Sequence, residues 1–239
     1  MGAHGGPHIN GATGLVGAWD AADLNSYPGS GTAWTDIVGS ANGTLTNGPT
    51  FDTGNGGSLK FDGVNDYVDT GNAFQSTFRS SFSVELWAKP DDGQPGTIDF
   101  IFGTGNADES ARLHLYVPRT DGGITFHFEV GSDEVSGTSS AILSDGQETW
   151  HLFSFTIVSG GTATFYMDGV SRCTGDASGI TMSSWTSSDE VFIGTVDTNG
   201  SPESNAFDGN IAITRIYEKA LSAKEILQNY KIQRSRFGV

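Results

Sequence analysis

Two long alternating runs constrain this chain more than any other feature. In Ser81-Phe-Ser-Val-Glu-Leu-Trp-Ala-Lys89, the residues Phe82, Val84, Leu86 and Ala88 share one side of an extended segment. In Trp150-His-Leu-Phe-Ser-Phe-Thr-Ile-Val158, Phe153, Phe155 and Ile157 share one side and Leu152 opposes them. A period of two is what a strand packed on one face produces, because successive side chains point to opposite faces. Hairpin chemistry carries the second run onward. Gly160-Gly161 turns the chain into Thr162–Met167, and Asp168-Gly169 turns it again into Val170-Ser-Arg172.

The same reading places a first strand at Gly14–Trp19 and others at 58–62, 66–70, 98–103, 112–118, 123–130, 190–194 and 209–217. Residues 20–57 form a long polar excursion rich in turn signals, among them Tyr27-Pro-Gly-Ser-Gly31, Asn42-Gly43 and Asn47-Gly-Pro49, with Leu45 and Phe51 to pin it to the body. The 34 glycines are about twice the average usage of roughly 7% and punctuate the short apolar runs. Many short strands, close turns and almost no helix predict a single all-β domain built as an antiparallel sandwich. No internal repeat points to a propeller or solenoid.

The last segment switches period. Ile211, Ile213 and Ile216 mark a final strand, and a short amphipathic helix follows. Ser222 stands three residues before Glu225, a capping-box spacing, and Ile226, Leu227 and Tyr230 supply one apolar side. The organisation expected is a flexible Gly-rich arm over 1–13, the domain over 14–230 and a basic tail over 231–239.

Charge and cysteine usage narrow the partners. The net charge is −16, yet residues 215–239 hold six Lys and Arg against two acids, so the remainder carries −20. Such a body repels nucleic acid and anionic lipid. The basic end either meets an acidic partner or a neighbouring copy, or simply suits the C-terminal end of a helix dipole. Cys173 is the only cysteine, which excludes an internal disulfide. No leader opens the sequence, and no apolar run approaches the roughly 18 residues of a membrane span, so neither secretion nor membrane insertion is expected.

Five segments in order resemble the laminin-G-like, concanavalin-A-like lectin/glucanase jelly roll: Gly57-Ser-Leu-Lys-Phe-Asp-Gly-Val-Asn-Asp-Tyr-Val68, Phe82–Trp87, Trp150–Phe155 running to Ala163–Gly169, Val191-Phe-Ile-Gly194, and Phe207–Tyr230. The resemblance implies a two-sheet antiparallel jelly-roll sandwich with a short C-terminal helix, and a binding or structural role more often than an enzymatic one. A narrower resemblance, to free-standing virion-associated members of this family in tailed bacteriophages, rests on Gly5-Gly-Pro-His-Ile9, Gly14-Leu-Val16, Tyr27–Gly31, Trp34-Thr-Asp36, Gly43–Pro49 and Arg236-Phe-Gly238. It implies a non-enzymatic particle component, a capsid decoration or fibre accessory present in repeated copies among other virion proteins. The alternative is a calcium-dependent, carbohydrate-binding adhesin on a bacterial surface; in either setting a host polysaccharide is a candidate partner.

The residues themselves argue against hydrolysis. Glucanases of this superfold set paired carboxylates on one strand as Glu-x-Asp-x-x-Glu, and no such run occurs. Asp91-Asp92, Asp108-Glu109, Asp133-Glu134 and Asp189-Glu190 are sequence neighbours, which on a strand face opposite ways. His114, His127 and His151 read as dispersed on separate strands, with no nucleophile beside them. Calcium is the ion such a jelly roll often carries, and Asp62, Asp66, Asp208 and Asn210 are its candidate ligands. The alternative is that Asp62-Gly63 and Asp208-Gly209 merely build turns. The acidic loop Asp197–Asn205 is a further candidate for calcium or sugar. For a glycan platform the candidates are Trp34 and Trp185, with Tyr27 beside them, although Trp185 also suits the role of anchoring its own long loop; Trp87 and Trp150 read as core.

Overall fold

The computed structural model describes residues 13–104, 111–146, 148–198, 201–202 and 205–239. The expected N-terminal arm lies outside these residues except for its last member. The first half of the chain contributes β1 (Leu15–Asp20), β2 (Ala33–Trp34), β3 (Gly43–Thr46), β4 (Thr50–Asp52), β5 (Ser58–Asp62), β6 (Tyr67–Asp69), the single-turn α1 (Gln75–Phe78), β7 (Phe82–Pro90), β8 (Phe100–Thr104) and β9 (Ala111–Tyr116). The second half contributes β10 (Thr125–Val130), β11 (Asp133–Thr138), β12 (His151–Ile157), β13 (Thr162–Met167), β14 (Val170–Asp176), β15 (Val191–Ile193), β16 (Asp197–Thr198), β17 (Ser201–Pro202), β18 (Asp208–Tyr217) and α2 (Ala223–Phe237).

These strands form two antiparallel eight-stranded sheets and one small hairpin. The first sheet runs β14-β13-β12-β7-β18-β5-β4, with β1 also paired to β18; the second runs β11-β10-β9-β8-β15-β6-β3-β2. The sandwich predicted from alternation is therefore observed. Its core holds the expected faces, Phe82, Val84, Leu86 and Ala88 of β7 and Phe153, Phe155 and Ile157 of β12. Opposite them lie Leu113 and Leu115 of β9 and Phe126 and Phe128 of β10. The rings meet across the layer, with Phe82 5.6 Å from Phe128 and Phe126 5.0 Å from Phe155.

The excursion after β1 is tied down by one carboxylate. Asp36 accepts hydrogen bonds from the backbone N–H groups of Ala18, Val38, Gly39 and Ala41 at 2.9–3.2 Å. Trp19 Nε1 donates to Ala41 O at 3.0 Å from the other side. A polar segment is thereby held against the sandwich by one carboxylate accepting four backbone N–H bonds, together with the buried Tyr27, Trp34 and Leu45 and with Phe51, which packs on the core.

The C-terminal helix corrects the expected boundary at residue 230. The capping box forms as predicted, with Ser222 Oγ accepting from Glu225 N and Glu225 accepting from Ser222 N. The helix then continues through Phe237, so residues 231–237 are not a tail. It covers the outer face of the first sheet, where Phe237 stacks on Trp87 at 4.2 Å and contacts Trp150 at 4.8 Å. Leu152, opposite the core side of its strand, packs in this second layer together with Ile213. Gln233 interrupts the apolar stripe of the helix in sequence yet is buried, because its Oε1 accepts from Trp87 Nε1 at 3.0 Å and from Arg215 Nη1 at 2.9 Å. Arg236 closes the end on Asp20 with bonds of 2.9 and 3.0 Å.

Because α2 covers β7, that strand is buried on both faces and Glu85 is 0% exposed. Its carboxyl accepts from Tyr217 Oη at 3.0 Å and Asn229 Nδ2 at 3.0 and 3.2 Å, with Arg215 Nη1 4.0 Å away. Burial pushes this carboxyl above the usual range, and the Arg215 charge and the hydrogen bonds pull against it.

Candidate functional site

Among the described residues, no helix covers the outer face of the second sheet, which carries a set of convergent polar and aromatic groups. Strands β9, β10 and β11 alternate strictly. Leu113, Leu115, Phe126, Phe128 and Val135 point inward, so Arg112, His114, Tyr116, Thr125, His127, Glu129, Glu134, Ser136 and Thr138 point outward. The register then stacks the outward groups in rows across the three strands. Tyr116, Thr125 and Thr138 form one row, His114, His127 and Ser136 the next, and Arg112, Glu129 and Glu134 the third. The turn between β10 and β11 is the two-residue Gly131-Ser132, where Gly131 adopts a φ of 64° that suits glycine.

These rows floor a groove of about 410 Å³ lined by Ile98, Tyr116, Arg119, Thr125, His127, Glu134, Ser136 and Thr138. Its size is within the roughly 300–1,000 Å³ typical of small-ligand sites. Aromatic edges back it, with Phe100 4.7 Å from Tyr116 and 5.5 Å from His114. Thr125 and Thr138 hydroxyls meet at 3.0 Å. Burial and the nearby Arg112 charge lower the pKa of His114 to about 3, so this imidazole is neutral at physiological pH. His127 is shifted the same way, by burial first and Arg112 second, with Glu134 and Glu129 opposing. Glu129 is drawn away from the groove by Arg112 Nη2 at 2.7 Å.

The sequence expectation that His114 and His127 are dispersed is corrected here. They are directly paired across β9 and β10, with rings 6.3 Å apart. His151 lies in the other sheet, with Nδ1 2.7 Å from Asp168 Oδ2. The pair Asp133-Glu134 belongs to a strand, β11, that the apolar pattern did not reveal; its outward members Glu134, Ser136 and Thr138 were missed as site residues for that reason. The signal for β10 was present in Thr125-Phe-His-Phe-Glu-Val130, whose polar positions recur every second residue. Asp108-Glu109 lies outside the described residues, as does much of the loop 197–205.

Both tryptophans singled out as glycan platforms are corrected. Trp34 and Trp185 are each 0% exposed, so neither ring presents a face to a sugar. Trp185 stacks on Phe128 at 5.1 Å and packs against Phe78 at 5.3 Å, the loop-anchor role. Tyr27 is buried too, with its hydroxyl on Gly31 O at 2.9 Å.

Of the four candidate calcium ligands, Asp62 and Asp208 are cross-strand partners, and one carboxylate oxygen of each is engaged by the protein. Asp62 Oδ1 accepts from the N–H groups of Val64, Asn65 and Asp66 at 2.9–3.4 Å, the geometry of a turn builder. Asp208 is the cross-strand partner of Asp62, and its Oδ1 is held by Lys60 Nζ at 2.8 Å. Lys60 also holds Asp91 at 2.7 Å. Asn210 Nδ2 turns to Ser58 Oγ at 3.1 Å and Asp52 Oδ2 at 3.3 Å. Asp66 is buried, with its carboxyl raised by burial and by the Asp62 charge. An ammonium group already stands where a cation would meet Asp208, so these residues do not fit a ready-made oxygen cage.

Comparison with known proteins follows the fold. Residues 62–227 match the family model described as "Concanavalin A-like lectin/glucanases superfamily", which is well over half of the chain. No curated protein sequence matches. Among solved structures, the Ruminococcus gnavus IT-sialidase CBM40 bound to α2,6 sialyllactose superposes with a TM-score of 0.60 at 16% identity, covering 72% of this chain and 95% of that one. The botulinum neurotoxin type G receptor binding domain gives 0.67 at 15% identity, over 92% of this chain and 52% of that domain. A Trypanosoma rangeli sialidase complex gives 0.65 at 15% identity, but this chain covers only 37% of that enzyme. At such identities the likeness is one of fold.

Proposed function

This chain belongs to the concanavalin A-like lectin/glucanases superfamily, and on that premise we propose that it is a non-catalytic glycan-binding module whose sugar site is the groove over β9–β11. The observation that carries the reading is the composition of that groove. Tyr116 offers a ring for a pyranose face, and Arg119, Thr125, Ser136 and Thr138 offer donors and acceptors for hydroxyl groups around it. Glycoside hydrolysis takes two carboxyl groups flanking one bond, and Glu134 is the only acid among the lining residues. Support from outside the chain is that an R. gnavus neighbour of the same fold was solved with sialyllactose.

The test is retention on a panel of immobilised polysaccharides and sialylated glycans, read beside reducing-sugar release. We expect saturable binding to at least one glycan, weakened by Tyr116→Ala and by Arg119→Ala, with no sugar released. Binding unchanged in both variants would remove the groove from the account, and sugar release would replace a binding module with a hydrolase.

A second reading concerns where the module works. The segments Gly14-Leu-Val16, Trp34-Thr-Asp36 and Gly43–Pro49, similar to virion-associated members of this family, favour a component carried in repeated copies on a tailed bacteriophage particle, where glycan binding would serve adhesion. Peptide mass spectrometry of density-purified particles tests it. A fixed stoichiometry to the shell protein supports that placement, and absence from clean particles favours a bacterial-surface adhesin.

A further inference from the structure

We propose that His127, Glu129 and Glu134, on the facing strands β10 and β11, form a binding site for a divalent transition metal of the zinc type at the edge of the groove. This goes beyond the glycan reading and stands or falls separately from it.

His127 Nε2 lies 3.3 Å from Glu134 Oε1 and 3.7 Å from Glu129 Oε2, and all three ligand atoms fall within 4.8 Å of one another. A tetrahedral ion with bonds of about 2.0–2.1 Å to nitrogen and oxygen has ligand–ligand edges of about 3.3–3.4 Å. Two of the three edges are thus already near the required length, and the third closes by a small rotation of Glu134, whose side chain is 54% exposed and free to adjust.

Hydrogen bonding points the same way. His127 Nε2 is buried and, among the described residues, makes no well-aligned hydrogen bond; its neighbours there are the carboxylates of Glu129 and Glu134. His114, 4% exposed on the same face and paired directly with His127, also has a buried Nε2 without a partner there. A buried ring nitrogen left unsatisfied is costly, and a cation on His127 would supply what that nitrogen lacks.

Arg112 fits the arrangement as a supporting group. Its Nη2 forms an ion pair with Glu129 Oε2 at 2.7 Å, so it fixes the carboxylate's position and a metal ion would share that group with the guanidinium. The donor set selects the ion. An imidazole with two carboxylates suits zinc, nickel or copper, whereas calcium and magnesium prefer oxygen throughout. Three protein ligands leave a fourth position open, on the side where His127 and Glu134 line the groove.

The experiment is isothermal titration of the full-length chain with zinc chloride and, separately, calcium chloride. It is repeated on His127→Gln and Glu134→Gln, each checked for an unchanged fold by circular dichroism. We expect one zinc per chain, no comparable calcium binding, and at least a tenfold loss of zinc affinity in each variant. Absence of zinc binding, or wild-type affinity retained in either variant, would overturn the proposal; the latter would put the ion elsewhere, for example on His4 and His8. Neither outcome bears on whether Tyr116 and Arg119 hold a glycan, which the retention assay reads without added metal.

Discussion

Replacing Asp99 with Asn should make the protein more stable, and by an amount that depends on pH. Asp99 lies at the edge of β8, is 5% exposed, and its Oδ2 accepts the Asp208 N–H at 3.3 Å. Burial raises its pKa, and the Asp208 and Asp92 charges add to the effect over the opposing hydrogen bond, bringing it from 3.8 to about 7. Below pH 4 the carboxyl is protonated whether the chain is folded or not. Between about 4 and 7 the folded chain binds this proton more tightly than the unfolded chain, so stability falls as pH rises through the window. Above about 7 the full cost of a buried charge is present. A shift of about three units at 1.36 kcal/mol each sets an upper bound of about 4 kcal/mol. Asn keeps an acceptor oxygen for the Asp208 N–H and carries no charge. Urea unfolding of wild type and Asp99→Asn from pH 5 to 8.5 measures the difference directly, because Glu85 and Asp66, also raised, are common to both chains and cancel. The variant should gain over wild type steadily up to about pH 7.5 and then level off. A difference that stays constant across the range would refute the reasoning, since no proton would then be linked to folding at this site.

Three other outcomes follow from the packing. Glu85→Ala leaves Arg215 and Asn229 buried opposite a void and should cost about 3–5 kcal/mol in urea unfolding; a loss below about 1 kcal/mol would mean the network is not closed as described. Phe237→Ala removes the ring stacked on Trp87 and should cost about 3–5 kcal/mol, with truncation after Tyr230 costing at least as much. A truncated chain as stable as the whole would restore residues 231–239 to the status of a tail. Millimolar calcium should leave Tm unchanged, because Lys60 already occupies Asp208; a rise abolished by Asp208→Asn would show that calcium displaces the lysine.

By itself the sequence determined the architecture. Period-two alternation in Ser81–Lys89 and Trp150–Val158 named the core faces correctly, glycine-rich turns implied antiparallel pairing, and Ser222 with Glu225 located the start of the helix. These signals are local, and local geometry is enough to produce them. Only the tertiary structure decided which faces meet. Trp34 and Trp185 sit in segments with little strand pattern, yet both are buried, Trp185 against Phe78 and Phe128, which are distant in sequence. Gln233 breaks an apolar stripe and Glu85 lies on the non-core face of its strand, yet both are buried because partners from other elements satisfy them. Tyr116, Thr125 and Thr138 lie on three strands, and His127 meets Glu134 diagonally across a hairpin. Alternation gives each residue a face but not a neighbour; strand register supplies the neighbour, and register is fixed by the pairing of the whole sheet.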